Sequence, residues 1–219
     1  MPQPREVFGR AVDLVLAPGS ADKIVRAGSR SDPLVALTFD DGPDPDATPH
    51  LLDLLASHGA KATFFVVGER IDGGEDVLAR IVSEEHEIGN HTHSHPHTVN
   101  LARSALREEI VRATTSIERF STHVRFVRPP WGLDRRRFVS LASELGLQVA
   151  LWSIDSGDRR GCRVDQIVSN VIEGVHPGAI VLFHDLLGHV SGTIEACESI
   201  LPALRSAGFE LVTLSELSV

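Results

Sequence analysis

The chain has 219 residues, 42% of them hydrophobic, and a formal net charge of -9. That length buries the core of one α/β domain, and the acidic balance, broken only by the short cluster Arg135-Arg136-Arg137, excludes the basic footprint that nucleic-acid binding needs. Cys162 and Cys197 are only two and lie far apart, so they make neither a disulfide framework nor a thiolate zinc pattern, and no apolar run is long enough for a membrane span. The stretch from Ala11 to Pro18 is interrupted by Asp13 and lacks the apolar core of a signal peptide, so the chain reads as cytoplasmic, or as exported if a signal has been removed.

Residues 1–33 carry no strong periodic signal and read as an N-terminal extension, with the folded domain at 34–219. Val35 to Phe39 is an apolar β-rich run that predicts a buried strand, followed by the turn Asp40-Asp41-Gly42-Pro43 and a helix carrying Leu51, Leu52, Leu54 and Leu55. A second strand is expected at Ala62 to Val67, a helix near Asp76 to Ser83, and a short strand at Glu87 to Gly89. An amphipathic helix from about Ser104 to Phe120 comes next. Further strands are expected at Val124–Val127, Gln148–Trp152, Ala179–Phe183 and Glu210–Thr213, with helices between them. This alternation is that of βα units around a parallel sheet or barrel. The unusual polar residues all follow strands, where the loops of such folds collect into an active site.

Asp40 and Asp41 sit at a constrained turn, so one can hold a metal while the other handles a proton; alone, Asp-Asp-Gly-Pro reads first as an ordinary turn closing a strand, because such turns are common. The stretch His91-Thr92-His93-Ser94-His95-Pro96-His97 is less ordinary, because imidazoles four residues apart share a helical face and can meet on one ion. Both His91 with His95 and His93 with His97 have that spacing. Pro96 restricts His95 away from the right-handed helical region and favours the first pair. Arg128-Pro129-Pro130-Trp131-Gly132 suits one wall of a sugar site, with Pro130 rigid and Trp131 offering a flat face. Trp152 to Asp158 again puts carboxylates after a strand, where one can orient a histidine. His184 ends the apolar run Ala179 to Phe183, a placement that suits a general acid and also an ordinary hydrogen-bonded histidine.

Taken in order, these motifs resemble the polysaccharide deacetylases of the chitin deacetylase and nodulation deacetylase family (carbohydrate esterase family 4), over about Leu34 to Leu217. The resemblance implies an α/β fold, a distorted and incomplete (β/α) barrel. It implies a divalent metal, zinc with cobalt or another divalent ion as substitute, on Asp41, His91 and His95. It further implies Asp40 as catalytic base, Arg128 holding that base, His184 as acid, and Asp158 tuning the acid. Trp131 and Leu182 match residues that line the substrate site, with the Trp131 N–H facing the oxyanion and Leu182 near the acyl methyl. The implied activity is removal of an N-acyl group, N-acetyl above all, from an amino sugar or oligosaccharide. A different small amide or formamide is the alternative, and a non-catalytic metal-containing carbohydrate binder is a third reading, disfavoured by the presence of both Asp40 and His184. Two departures bear on substrate choice: Arg159 stands where the family often has an aromatic, and Trp131 stands for the usual tyrosine in a chain with no tyrosine.

Overall fold

The computed structural model describes residues 24–121, 123–133, 135–186 and 190–217. Among them nine strands form one sheet: β1 (Ile24–Val25), β2 (Leu34–Asp40), β3 (Ala62–Val66), β4 (Glu87–Asn90), β5 (Phe126–Val127), β6 (Gln148–Ala150), β7 (Ile154–Asp155), β8 (Ala179–His184) and β9 (Glu210–Leu211). The helices are α1 (Thr48–Ser57), α2 (Glu75–Ser83), α3 (Arg103–Ile117), α4 (Arg135–Glu144), α5 (Val164–Gly174), α6 (Val190–Ser206) and α7 (Leu214–Leu217). Every strand pairing is parallel, in the order β1-β6-β5-β4-β3-β2-β8-β7, with β9 against the start of β2. The two ends of that path, β1 and β7, are not paired with each other, so the sheet is a distorted, incomplete (β/α) barrel, as the resemblance implied.

The period of two along each strand divides its side chains between two faces. Val35, Leu37 and Phe39 of β2, Ala62, Phe64 and Val66 of β3, and Ala179, Val181 and Phe183 of β8 enter the large core under the helices. Ala36, Phe65, Phe126, Ala150 and Ile180 form a second, smaller cluster on the inner face, closed by Leu214 and Leu217 of α7. The helices present matching stripes: Leu106, Ile110, Ala113 and Ile117 on α3, and Ile167 and Val171 on α5, spaced by whole turns. The inner-face alternation carries on from Ala36 through Thr38 to Asp40, and from Ile180 through Leu182 to His184, so the last inward position of each strand is polar.

The structure sharpens the expected organisation in three places. Residues 24–25, within the segment read as an extension, pair with β6, and Ile24 joins the core. The strand expected at Gln148 to Trp152 ends at Ala150, and a separate short strand, β7, follows at Ile154–Asp155 and pairs with β8. The histidine stretch is an irregular loop, not a helical turn, with Thr92 at φ 68° and His95 at φ 53°.

Candidate active site

Asp40 is the last residue of β2, paired in register with His184 of β8 and Phe65 of β3. The chain then turns sharply: Asp41 takes φ 80°, left-handed backbone that is strained for a residue bearing a Cβ. The turn is held from several sides. Arg70 donates to the Asp41 carbonyl, Val67 N–H donates to the Gly42 carbonyl at 2.8 Å, and Asp185 N–H donates to the Asp40 carbonyl at 3.0 Å. A Cβ on Gly42 would lie 2.2 Å from an Asp185 carboxylate oxygen, so only glycine fits there.

The histidine loop is clamped by Glu109 of α3, whose carboxylate accepts from the His93 and Ser94 amides and the Ser94 hydroxyl at 2.8 to 3.0 Å. The loop's left-handed turns deliver His91 and His95 to Asp41: their Nε2 atoms lie 3.5 and 3.2 Å from Asp41 Oδ1. His93 points away to Glu69, 3.9 Å off, and His97 stacks flat on Trp131 with ring centroids 5.1 Å apart. The pairing favoured by Pro96 is therefore the one that converges, although it is brought about by left-handed residues rather than by a shared helical face.

The donor atoms of Asp41, His91 and His95 all lie within 4.8 Å of one another. His91 Nδ1 lies 2.9 Å from the Arg128 carbonyl, an acceptor, so Nδ1 carries the hydrogen and Nε2 presents a lone pair to Asp41. Asp41 Oδ1 is buried and accepts no hydrogen bond. Burial pushes His91 down to about 3 and His95 to about 4, against the opposing pull of Asp40, so both imidazoles are neutral at pH 7. Neutral lone pairs facing a buried carboxylate oxygen fit a divalent cation.

Arg128 is fully buried behind Asp40. Its guanidinium donates to Asp40 Oδ1 at 2.7 Å, to Thr38 Oγ1 at 2.8 Å, and to the Ala150 and Leu151 carbonyls at 3.3 and 3.1 Å. Its plane covers Phe65 at 3.9 Å, so an inner-face aromatic seats the cation. Asp158 is the matching support for His184: its Oδ1 accepts from His184 Nδ1 at 2.8 Å and from the Arg159 amide at 2.7 Å. Its Oδ2 accepts from the His184 amide at 2.7 Å and from Thr193 Oγ1 of α6 at 2.9 Å. Burial alone would raise the Asp158 carboxyl, but these donors outweigh it and hold the group below its ordinary value. With Nδ1 committed to Asp158, His184 has Nε2 left for the cleft.

Asp40, Asp41, His91, His95, Trp131, Gly132, Trp152, Asp155, Arg159, Arg160, Leu182 and His184 line one cleft of ≈ 390 Å³. Trp131 is 41% exposed at φ 61° at the rim, its ring flanked by His97 and Arg159, while Pro130 is buried in the same turn. The sequence-derived candidates thus gather at one place, Arg128 and Asp158 standing behind the lining residues. Sequence reasoning did not find Thr193, Glu109, Arg70 or Asp185, which lie outside the motifs, on helices and loops, or beside a residue that drew the attention. Among the described residues no helix is long and apolar enough to cross a membrane.

Comparison with known proteins gives the same family. The polysaccharide deacetylase family model matches residues 27–150. A peptidoglycan-N-acetylglucosamine deacetylase of Bacillus cereus is 38% identical over 182 residues, which cover 82% of this chain and 66% of that relative's length. A chitooligosaccharide deacetylase of Bradyrhizobium sp. is 35% identical, covering 87% of this chain and 92% of the relative. The crystal structure of the Bc1960 peptidoglycan N-acetylglucosamine deacetylase, bound to an N-hydroxybenzamide, superposes with TM-score 0.84 at 36% identity, covering 90% of this chain and 92% of that one. With these matches and the motif residues convergent in one cleft, the chain belongs to the polysaccharide deacetylase family.

Proposed function

We propose that the chain is a metal-dependent hydrolase that removes an N-acyl group, N-acetyl in our reading, from an amino sugar or an N-acetylated glycan. The observation that carries this is the convergence of Asp41, His91 and His95 on one point, with Asp40 and His184 in register on neighbouring strands beside it. Asp41, His91 and His95 would hold a divalent cation, zinc in our reading with cobalt or another divalent ion as substitute, which when bound would supply Lewis acidity toward the amide carbonyl and the attacking water. Asp40, its Oδ1 fixed by Arg128, takes the proton from that water. The Trp131 N–H donates to the developing oxyanion, a contribution of roughly 3 kcal/mol for a well-placed donor. His184, oriented through Nδ1 by Asp158, delivers a proton from Nε2 to the departing nitrogen, which leaves as an amine. Leu182 packs beside the acyl methyl, and the exposed part of Trp131 borders the sugar ring.

The names of the relatives support an N-acetylglucosamine glycan of the peptidoglycan or chitooligosaccharide kind. A cell-wall substrate weighs against the cytoplasmic placement expected from the sequence. Cell fractionation decides between them, and recovery in the wall fraction removes the cytoplasmic reading. We keep residues 34–219 as the catalytic domain, with strand β1 of the preceding segment attached to it.

The test is to strip the protein of metal, reload it with zinc or cobalt, and measure acetate release. The panel runs from N-acetylglucosamine and its nucleotide conjugate to chitooligosaccharides and peptidoglycan fragments. Metal-dependent release that falls at least a thousandfold in Asp40→Asn, with metal content unchanged, supports the reading. No release from any member with metal bound sinks it.

A further inference from the structure

Asp41 divides its carboxylate between two partners. Oδ1 faces the two imidazoles, whereas Oδ2 receives the guanidinium of Arg159 in direct contact. Arg159 is held there firmly for a surface-reaching side chain. Its residue lies in a 3-10 turn, Asp158–Arg160, bracketed by left-handed Gly157 and Gly161. Its amide donates to Asp158 Oδ1, and its guanidinium lies 4.8 Å from the Trp131 ring centroid. One residue thus ties its backbone to the carboxylate behind His184 and its side chain to the carboxylate of the metal triad. Its side chain is one-third exposed, so its charge is only partly screened by water.

We infer that Arg159 is a positioning residue that sets the metal affinity of this site, resting on the proposed metal triad. By occupying Oδ2 it leaves Asp41 a single oxygen for the ion. Partners that hydrogen-bond a ligating carboxylate ordinarily strengthen metal binding by orienting it. Here the orienting group is itself a cation beside a divalent cation, and at such short range the repulsion exceeds the benefit of orientation. The site is therefore tuned to bind its ion more weakly than an Asp-His-His set with a neutral partner would. An aromatic at 159 could neither compete for Oδ2 nor repel the ion.

Zinc dissociation constants of the full chain, measured by competition with a chromogenic chelator at fixed pH and salt, test this. Arg159→Gln keeps an N–H donor for Oδ2 and removes the charge; it should bind zinc about tenfold more tightly. Arg159→Lys keeps the charge and should stay within about twofold of the parent. Equal or weaker binding in Arg159→Gln, or tightening of the same size in Arg159→Lys, overturns the inference. Circular dichroism on both variants checks that the fold is intact, and Arg159→Met replaces the glutamine variant if that one does not fold. Asp41→Asn is the separate control: stoichiometric zinc in that variant refutes the triad itself, independently of the outcome at Arg159.

Discussion

Arg128 and Asp40 form a buried ion pair in which each charge is tolerable only because of the other. Arg128→Met keeps most of the volume but strands a carboxylate, and removing one partner of such a pair costs about 3–5 kcal/mol. Urea unfolding should show that loss, together with a collapse of acetate release. Two other buried groups give the protein opposed pH responses. His86 Nδ1 accepts the Ala62 amide at 3.1 Å, and burial pushes its pKa down to about 4, so the folded chain holds it neutral. The unfolded chain binds that proton below about 6.5, so the associated stability is present above that pH and is lost as pH falls toward 4, by about 3 kcal/mol at most. Asp185 runs the other way: burial, partly offset by Thr48 and the Gly42 amide, pushes its carboxyl up to about 7. Its proton is kept by the folded form between the ordinary carboxylate range and 7, so that stability is lost as pH rises through this window. The two windows overlap between about 4 and 6.5 and oppose each other there, so His86→Gln should leave an unfolding free energy that falls as pH rises to 7, and Asp185→Asn one that rises with pH up to about 6.5. Unchanged profiles would remove these assignments.

Across β8, β2 and β3 the rings of Phe183, Phe39 and Phe64 form a stacked row, with centroids 5.5 and 5.2 Å apart. Phe39 is its centre and immediately precedes Asp40. Phe39→Ala should cost about 3–5 kcal/mol in urea unfolding and weaken activity by disturbing the strand end, whereas the peripheral Phe64→Leu should do less of both. The row shows why these elements were legible: β2 and β8 are apolar runs bounded by turn residues, and their alternation places the terminal polar residue on the inner face without further information. The short strands were less legible. β1, β5, β7 and β9 have two residues each in the structure, too few to establish a period, and are stabilised by neighbours distant in sequence. The same reasoning separates the site residues. Asp40, Asp41, His91, His95, Arg128, Asp158 and His184 follow strand ends, each ambiguous taken alone, and became legible through the order of their motifs. Thr193 and Glu109 are unremarkable helical residues whose contacts with Asp158 and with the histidine loop exist only in three dimensions.

At the scale of the molecule, the sheet is open between β1 and β7, and its β1 edge is built from residues before the expected domain start. A chain beginning at residue 34 would lose Ile24 from the core, the bond from the Leu151 amide to Val25, and that from the Gly28 amide to Gly178. It should unfold at about 2–4 kcal/mol lower stability than the full chain, from one buried side chain plus the unmade hydrogen bonds; equal urea midpoints would show that the edge contributes nothing. The absence of tyrosine has a practical side. Trp131 and Trp152 are the chain's two tryptophans, and both line the cleft. Light selectively absorbed by indole is therefore re-emitted only from the walls of this pocket, so the unlabelled protein carries its own optical reporter. Quenching or a spectral shift on adding metal ion or glycan follows events at the site itself, without contribution from the remainder of the fold.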